Sequence, residues 1–165
     1  LNECLTKENP VLEISYCQLL DIGVYAVSFA RWFMASKPNT VLTTMTPFET
    51  GVDESSGILL QNKEMEIATI SLTMRAKQPK RGLVACENGY IEMYNFPRAD
   101  KATITYTSDG HTEEIVCGES SLALNYEIRD MEEYVSSLNG QTNLQCIQDV
   151  MDVLTQVQKA WGKYE

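Results

Sequence analysis

The spacing of apolar residues changes twice along the 165-residue chain, and each change predicts a different kind of element. Residues 17–35 have apolar side chains at helical spacing, and Lys37 and Pro38 follow as typical helix stop signals. Helical spacing returns in residues 122–138 and 143–161, with an Asn-Gly pair between them. Three helices are therefore predicted. The recurring apolar residues of the last one are predicted to be core: Ile147, Val150, Met151, Leu154 and Val157.

Short segments in the middle of the chain favour strands. Asn88-Gly89 and Asp109-Gly110 are strong hairpin signals, because both central positions of the favoured turn need positive φ. Consecutive hairpins predict a largely antiparallel sheet. The predicted strands are residues 40–46, 56–61, 65–73, 81–86, 90–95, 101–107 and 111–117.

Two of these strands show how the sheet would be covered. Residues 101–106 alternate between an apolar and a threonine-rich face, whereas residues 65–72 are apolar on both faces. Helices can cover one face, and a second subunit or a neighbouring domain can cover the other. We therefore predict an α+β fold, with a largely antiparallel or mixed open sheet covered on one face by helices.

The chain is expected to form a single domain preceded by an arm. Residues 1–16 show no sustained period and contain Pro10, so they are predicted to be an N-terminal arm or loop. Residues 17–165 are predicted to be one domain, because a chain of this length with 44% hydrophobic residues can bury a core.

Composition narrows the classes of partner. The net charge of −10 disfavours nucleic acid and anionic membranes, so neither is expected to be a partner. The five cysteines are scattered without a Cys-x-x-Cys pair and there is a single histidine, so no metal site is expected. With no apolar run long enough for a membrane span and no signal peptide, a reducing, cytoplasmic location is expected.

The strongest candidate for chemistry is the pair Asp21 and Tyr25. Their spacing of four residues would place a carboxylate and a phenol on one face of the first helix. Such a face could exchange a proton with a bound hydroxyl or carbonyl group. The alternative is structural: a tyrosine packed in the core and an aspartate that caps the helix.

Three other features bear on ligand binding, and two of them allow both a functional and a structural interpretation. The sequence has no Gly-x-Gly-x-x-Gly and no phosphate-binding loop, so it carries no recognisable nucleotide cradle. Residues 50–54 (Thr-Gly-Val-Asp-Glu) could be a shaped loop or a turn with acidic ends. The basic residues between 75 and 81 could meet an anionic ligand, although a solvated loop explains them as well.

The order of motifs resembles one protein family. Leu-Leu-Asp-Ile-Gly-Val-Tyr at 19–25 is followed by Thr-Gly-Val-Asp at 50–53, Gly-Tyr-Ile-Glu-Met at 89–93 and Tyr-Glu-Ile at 126–128. This combination resembles the C-terminal domain of the Gfo/Idh/MocA family of NAD(P)-dependent oxidoreductases, and within it the dihydrodiol-dehydrogenase-like branch. The resemblance covers about residues 9 to 162. It implies a C-terminal domain of the glyceraldehyde-3-phosphate-dehydrogenase-like type.

The resemblance also implies roles for three residues. Asp21 would orient the substrate, Tyr25 would take the hydroxyl proton as hydride leaves to NAD or NADP, and Gly23 would permit close approach to the nicotinamide. The cofactor would be bound mainly by an N-terminal Rossmann domain, which is absent from this chain together with the catalytic lysine of the family. A tyrosine phenol ordinarily ionises near pH 10, so a base role at neutral pH requires a nearby cation.

The function expected from this resemblance is the substrate-binding and oligomerisation half of an oxidoreductase that acts on a sugar, polyol or related compound. The isolated chain is expected to be inactive, and a homo-oligomer through the open sheet face is expected. Tyr16-Cys17 replaces a Gly-Gly pair of many relatives, which could narrow the pocket. Two alternatives stay open: a non-catalytic interaction module, and a stand-alone binder of a small ligand.

Overall fold

The computed structural model describes residues 11–16, 18–137 and 141–163. Within them, one sheet contains the strands β1 (Val11–Tyr16), β2 (Thr40–Pro47), β3 (Asp53–Gln61), β4 (Ile67–Thr73), β5 (Arg81–Cys86), β6 (Gly89–Tyr94), β7 (Lys101–Tyr106) and β8 (Thr112–Val116). The helices are a π-helical segment (Gln18–Gly23), α1 (Val24–Phe33), a 3-10 turn (Ser120–Leu122), α2 (Ala123–Ser137) and α3 (Gln141–Ala160). The predicted strands and helices are confirmed to within a few residues at their ends.

The sheet is open and mostly antiparallel. Its strand order is β2-β3-β4-β1-β5-β6-β7-β8, so β2 and β8 are its edges. The β2–β3–β4 and β5–β6–β7–β8 meanders are antiparallel, as the hairpin signals predicted, whereas β1 runs parallel to β4 and antiparallel to β5. Because α1 and α3 cover one face, the predicted α+β class is confirmed.

Strand β1 corrects the prediction made for the start of the chain. The expectation of an arm or loop over residues 1–16 is wrong for residues 11–16, which form a central strand. Six residues are too few for a period to stand out after a proline, and their strand conformation depends on hydrogen bonding to β4 and β5, which come much later in the sequence. Residues 1–10 and Cys17 lie outside the described residues.

The core lies between the sheet and the two helices α1 and α3. The buried apolar side chains of the helices are Ala26, Val27, Phe29, Ala30, Val150, Val153, Leu154 and Val157. Those of the sheet are Ile58, Leu60, Ala68, Ile70, Leu72, Val84, Ile91 and Ile104. Of the core positions predicted in α3, Val150, Leu154 and Val157 are buried. The prediction is wrong for Ile147 and Met151, which are 57% and 52% exposed.

A buried ion pair joins α1 to α3. The Arg31 Nε donates to Asp149 Oδ2 at 2.7 Å, and the Gln145 side chain donates to Oδ1 at 3.0 Å. Burial by itself raises the pKa of Asp149. The hydrogen bonds from Arg31 and Gln145 and the positive charges of Arg31 and Lys37 lower it by more, so the pKa of Asp149 lies below its usual value. Since an unpaired buried charge is costly, this pair fixes how the two helices lie against each other.

Gly82 of β5 allows α1 to lie close to the sheet. A Cβ atom at this position would lie 2.8 Å from Cζ of Phe29, which is closer than real Cβ contacts. The Phe29 ring also packs against Phe33 and Phe96, with ring centroids 4.9 and 5.1 Å apart. The ring is therefore packed against the backbone at Gly82 and against two other rings.

We expect Gly82→Ala to lower the free energy of unfolding by about 1–3 kcal/mol, because overpacking forces a buried ring or the backbone to move. Gly57→Ala in β3 is the matched control, since a Cβ there meets nothing within 4 Å. Urea unfolding followed by circular dichroism measures both variants. Equal effects of the two substitutions would contradict the close approach of Phe29 to Gly82.

Candidate functional site

The π-helical segment that carries Asp21 is positioned by the buried carboxylate of Asp53. The Leu19 backbone N–H donates to Asp53 Oδ2 at 2.9 Å. Asp53 follows a tight loop in which Phe48 N–H donates to the Val52 carbonyl at 2.7 Å and Gly51 has a φ of +84°. The loop thus ends at Val52, and Asp53, the first residue of β3, anchors the start of the helical stretch.

A second buried carboxylate holds the other end of this stretch. Just beyond α1, the Ala35 backbone N–H donates to Glu66 Oε2 at 2.7 Å, and the Asn62 side chain donates to the same oxygen. The Glu66 N–H in turn donates to Asn62 Oδ1 at 2.9 Å. Together with Asp53 and the Arg31–Asp149 pair, these contacts fix the helical stretch at its start, middle and end.

Asp21 lies on the surface of the π-helical segment. It lines a hollow of about 370 Å³ together with Asp53, Trp161 and Lys163. The side of this hollow formed by Trp161 is fixed, because its indole N–H donates to Thr43 Oγ1 at 3.1 Å. Within the described part of the chain, the Asp21 carboxylate has no hydrogen-bond partner, so it is free to accept a hydrogen bond from a ligand.

Tyr25 lies one turn further along, in the first turn of α1, and its side chain is 49% exposed. It lines two other hollows. The smaller, of about 260 Å³, is apolar and includes Trp32, Phe33 and Pro97. The larger, of about 630 Å³, is polar and lies between α2 and the segments 97–100 and 117–120. Among the described residues the phenol has no hydrogen-bond partner.

The polar hollow, as we name the larger one, combines cations and carboxylates. Arg98 and Arg129 line it, and neither forms an ion pair with a described residue. The Arg129 guanidinium lies 5.2 Å from the ring centre of Tyr126, whose hydroxyl accepts the Glu119 N–H at 3.0 Å. The carboxylates of the lining are Asp100, Glu119, Glu127 and Asp130. Guanidinium donors and carboxylate acceptors around one hollow can bind a ligand that carries several hydroxyl groups.

The structure separates the predicted site residues. Asp21 and Tyr25 line different hollows, so these hollows do not place the carboxylate and the phenol around one ligand position. Gly23 is buried at the junction of the π-helical segment and α1, with an ordinary helical φ of −60°. Sequence reasoning missed Arg98 and Arg129, for which the only nearby signal was the Tyr126-Glu127-Ile128 motif.

The basic residues between 75 and 81 form a solvated loop, as the structural interpretation of the sequence predicted. Arg75 lies in an exposed loop and pairs with Glu54 at 3.1 Å, and Arg81 pairs with Glu92 at 3.6 Å. These contacts support a solvated loop tied to its neighbouring strands. The cluster does not line the polar hollow.

Three further features of the described residues bear on function. Residues 11–16, 18–137 and 141–163 contain no group of three His, Cys, Asp or Glu side chains placed to hold a metal ion. None of the helices in these ranges is long and apolar enough to span a membrane. The cysteines described, at 86, 117 and 146, are free thiols.

Comparison with known proteins finds similarity to one family of domains. Residues 12–92 match the sequence profile of the GFO/IDH/MocA C-terminal domain. A trans-1,2-dihydrobenzene-1,2-diol dehydrogenase from Xenopus laevis is 30% identical over 115 residues, which are 66% of this chain and 35% of the relative. One from Xenopus tropicalis is 36% identical over 76 residues, 46% of this chain and 23% of the relative. The matches therefore span about a third or less of these relatives.

Solved structures show the same fold. A UDP-N-acetylglucosamine 3-dehydrogenase from Acidithiobacillus ferrooxidans superposes with a TM-score of 0.72 at 14% identity, covering 91% of this chain and 52% of its own. The 3-ketoreductase KijD10 from Actinomadura kijaniata, in complex with TDP-benzene and NADP, superposes with a TM-score of 0.73 at 16% identity. The superposition covers 95% of this chain and 54% of the ketoreductase. The chain thus spans about half the length of these structures.

Asp53 and Asp21 offer a matched test of how the site is held. We expect Asp53→Ala to destabilise the fold by about 1–3 kcal/mol, since the buried Leu19 N–H loses its acceptor. Asp21→Ala, in the same hollow, should change stability by no more than about 0.5 kcal/mol, because the side chain is exposed and unpartnered. Thermal and urea unfolding measure both. A neutral Asp53→Ala would show that the loop does not anchor the helix.

Proposed function

We propose, from the match of residues 12–92 to the GFO/IDH/MocA C-terminal domain, that the chain is the substrate-binding half of an NAD(P)-dependent oxidoreductase. The proposed reaction moves hydride between a nicotinamide and a sugar, polyol or related hydroxyl or carbonyl compound. Its relatives support this assignment, since their names describe dehydrogenases and a ketoreductase.

The observation that carries the proposal is the position of Tyr25. Its phenol is unpartnered among the described residues and half exposed where an apolar and a polar hollow meet. Buried or packed tyrosines usually find a hydrogen-bond partner, whereas a general acid or base must keep its proton site open to the substrate. The structural alternative of a tyrosine packed in the core does not fit this exposure.

In this reaction Tyr25 handles the proton. When an alcohol is oxidised, its O–H proton passes to the phenolate oxygen, and the electrons of the O–H bond form the new carbonyl. Bound NAD or NADP supplies the acceptor for the hydride that leaves carbon. In reduction the phenol returns the proton to the carbonyl oxygen.

The residues present fit part of the cofactor. The apolar hollow beside Tyr25, with Trp32 and Pro97 in its lining, offers a surface on which a flat ring can pack. The sequence lacks the glycine-rich turn that cradles a pyrophosphate. We infer that this chain contacts the nicotinamide ring, whereas another domain binds the phosphates of the cofactor. The chain alone should therefore be inactive.

The polar hollow accounts for the proposed substrate class. Its arginines can donate to hydroxyl oxygens, and its carboxylates can accept from hydroxyl protons. A compound with several adjacent hydroxyl groups satisfies both kinds of partner at once. Asp21 lies one helical turn from Tyr25 but lines a different hollow, so it contacts only a substrate that extends beyond the polar hollow.

The uncovered sheet face supports a proposed homo-oligomer. Leu42 and Leu59 are paired across β2 and β3 on the face opposite α1 and α3, and they are 59% and 38% exposed. On the same row lie Thr69 of β4 and, beyond β1, Leu83 and Glu92. A broad sheet face with apolar and polar residues can pair with a second copy of itself.

Tyr25→Phe tests the catalytic role in the natural polypeptide that contains this sequence. We expect NAD(P)-linked turnover to fall about 100- to 10,000-fold with stability unchanged, because the packing ring stays and the proton donor is lost. Tyr94→Phe is the matched control, since Tyr94 is 52% exposed on a strand and lines neither Tyr25 hollow. Unchanged turnover in Tyr25→Phe would favour the non-catalytic interaction module.

Leu59→Glu tests the oligomer. Placing a charge in the centre of the uncovered face should shift the chain toward monomer, measured by sedimentation velocity across a concentration series. Val52→Glu is the control, because Val52 is also 38% exposed but lies in the loop before β3. If both variants sediment like the parent, the sheet face is not the interface.

A further inference from the structure

Helix α2 forms one wall of the polar hollow beside Tyr25. The opposite wall consists of residues 97–100 and 117–120. At 100° per residue, the α2 residues that line the hollow share one side of the helix. They are Ala123, Tyr126, Glu127, Arg129 and Asp130. The width of the hollow therefore depends on how this side of α2 is held against the opposite wall.

Tyr126 joins the two walls. Its hydroxyl oxygen accepts the Glu119 backbone N–H at 3.0 Å. Its ring lies against Gly118, since a Cβ atom at Gly118 would be 3.5 Å from Cε2 of the ring, an ordinary van der Waals distance. Gly118 has a φ of +79°, which glycine adopts without steric cost. This turn brings a backbone N–H and an open backbone surface to the same tyrosine.

The ring of Tyr126 also contacts Arg129. The guanidinium carbon lies 5.2 Å from the ring centre, within the range of a cation–π interaction. The two residues are three apart on one helix, where side chains are neighbours. Arg129 forms no ion pair with a described residue, so the ring, rather than a carboxylate, restricts this long side chain. The Tyr126 ring therefore holds a donor group in the lining of the hollow.

Tyr25 is held by a different set of contacts. It lies on α1, and the helical stretch that carries it is fixed by the buried carboxylates of Asp53 and Glu66 and by the Arg31–Asp149 pair. None of these contacts involves α2. A change in α2 can therefore alter one wall of the hollow while the phenol of Tyr25 stays in place.

We propose that Tyr126 is a positioning residue for substrate binding. It fixes α2, and through its ring Arg129, at the distance from the opposite wall at which a compound with several hydroxyl groups is bound. This inference rests on the proposed function, because a positioning role requires a substrate in the hollow. Since Tyr126 acts on binding and Tyr25 on the proton, the two residues affect different kinetic constants.

Kinetics of two variants test this role in the natural polypeptide that contains this sequence. The substrate is whichever of D-glucose, D-xylose and sorbitol the parent oxidises fastest with NAD or NADP. Tyr126→Phe removes the acceptor for the Glu119 N–H and should raise the KM about 3- to 10-fold. Tyr126→Leu also removes the aromatic ring and should raise the KM further. In both variants kcat should stay within about twofold of the parent value.

Tyr134→Phe is the matched control, because Tyr134 lies two turns further along α2 and does not line the hollow. Its KM should equal that of the parent. Amide hydrogen exchange of residues 123–137 reports how firmly α2 is held, and it should be faster in the two Tyr126 variants only.

Arg129→Gln completes a double-mutant cycle. If Tyr126 acts through Arg129, Tyr126→Leu should raise the KM by a smaller factor in the Arg129→Gln background than in the parent. Equal factors in the two backgrounds would contradict a coupling between the ring and the guanidinium.

An unchanged KM in both Tyr126 variants would overturn the positioning role, even if the α2 amides exchange faster, and so would a fall in kcat without a change in KM. A parent protein that oxidises none of the three compounds with NAD or NADP would contradict the proposed function and, with it, this role. The failure of the function and the failure of the positioning role therefore give different results.

Discussion

The Asp53 carboxylate, by accepting the Leu19 N–H inside the protein, determines where the helical stretch with Asp21 and Tyr25 begins. The start of a helix has N–H groups without partners, and a buried carboxylate is a strong acceptor for one of them. Glu66 does the same for the chain just after α1, and the Arg31–Asp149 pair ties the middle of α1 to α3. Three buried acids therefore fix one helix.

This anchoring explains how an exposed phenol can have a fixed position. Phe29 packs inward against Gly82, and Tyr25 and Trp32, one turn before and after it, line the same hollow and remain exposed. The helix is rigid because of its buried contacts, and Tyr25 takes no part in them. Its phenol can then serve a ligand without a cost to the core, which is what a proton-transferring group requires.

The sequence predicted the parts that depend on local patterns. Hairpin signals at Asn88-Gly89 and Asp109-Gly110 located the second meander, and helical spacing located α1, α2 and α3. Strand β1 was missed because its conformation comes from pairing with β4 and β5, and such distant pairing leaves little trace in six residues. The spacing of Ile147 likewise did not predict its exposure, because which side of α3 is buried depends on how α3 packs against α1 and the sheet.

The candidate site was predicted only in part. Asp21 and Tyr25 followed from their spacing and from the family resemblance, yet their separation into different hollows depends on the loop that holds Asp53 and on α2. Arg98 and Arg129 come from segments about 30 residues apart that the folded chain brings to one hollow. Single charged residues in loops and on exposed helices carry no periodic signal.

We propose that Tyr25 lies beside the reactive ring of a nicotinamide. The most direct measurement is a crystal structure of the natural polypeptide that contains this sequence, with NAD(P) bound. The account predicts the nicotinamide against the apolar hollow, with a substrate hydroxyl within about 3–3.5 Å of the Tyr25 phenol oxygen. A cofactor bound away from α1, or a Tyr25 covered by another side chain, would contradict it.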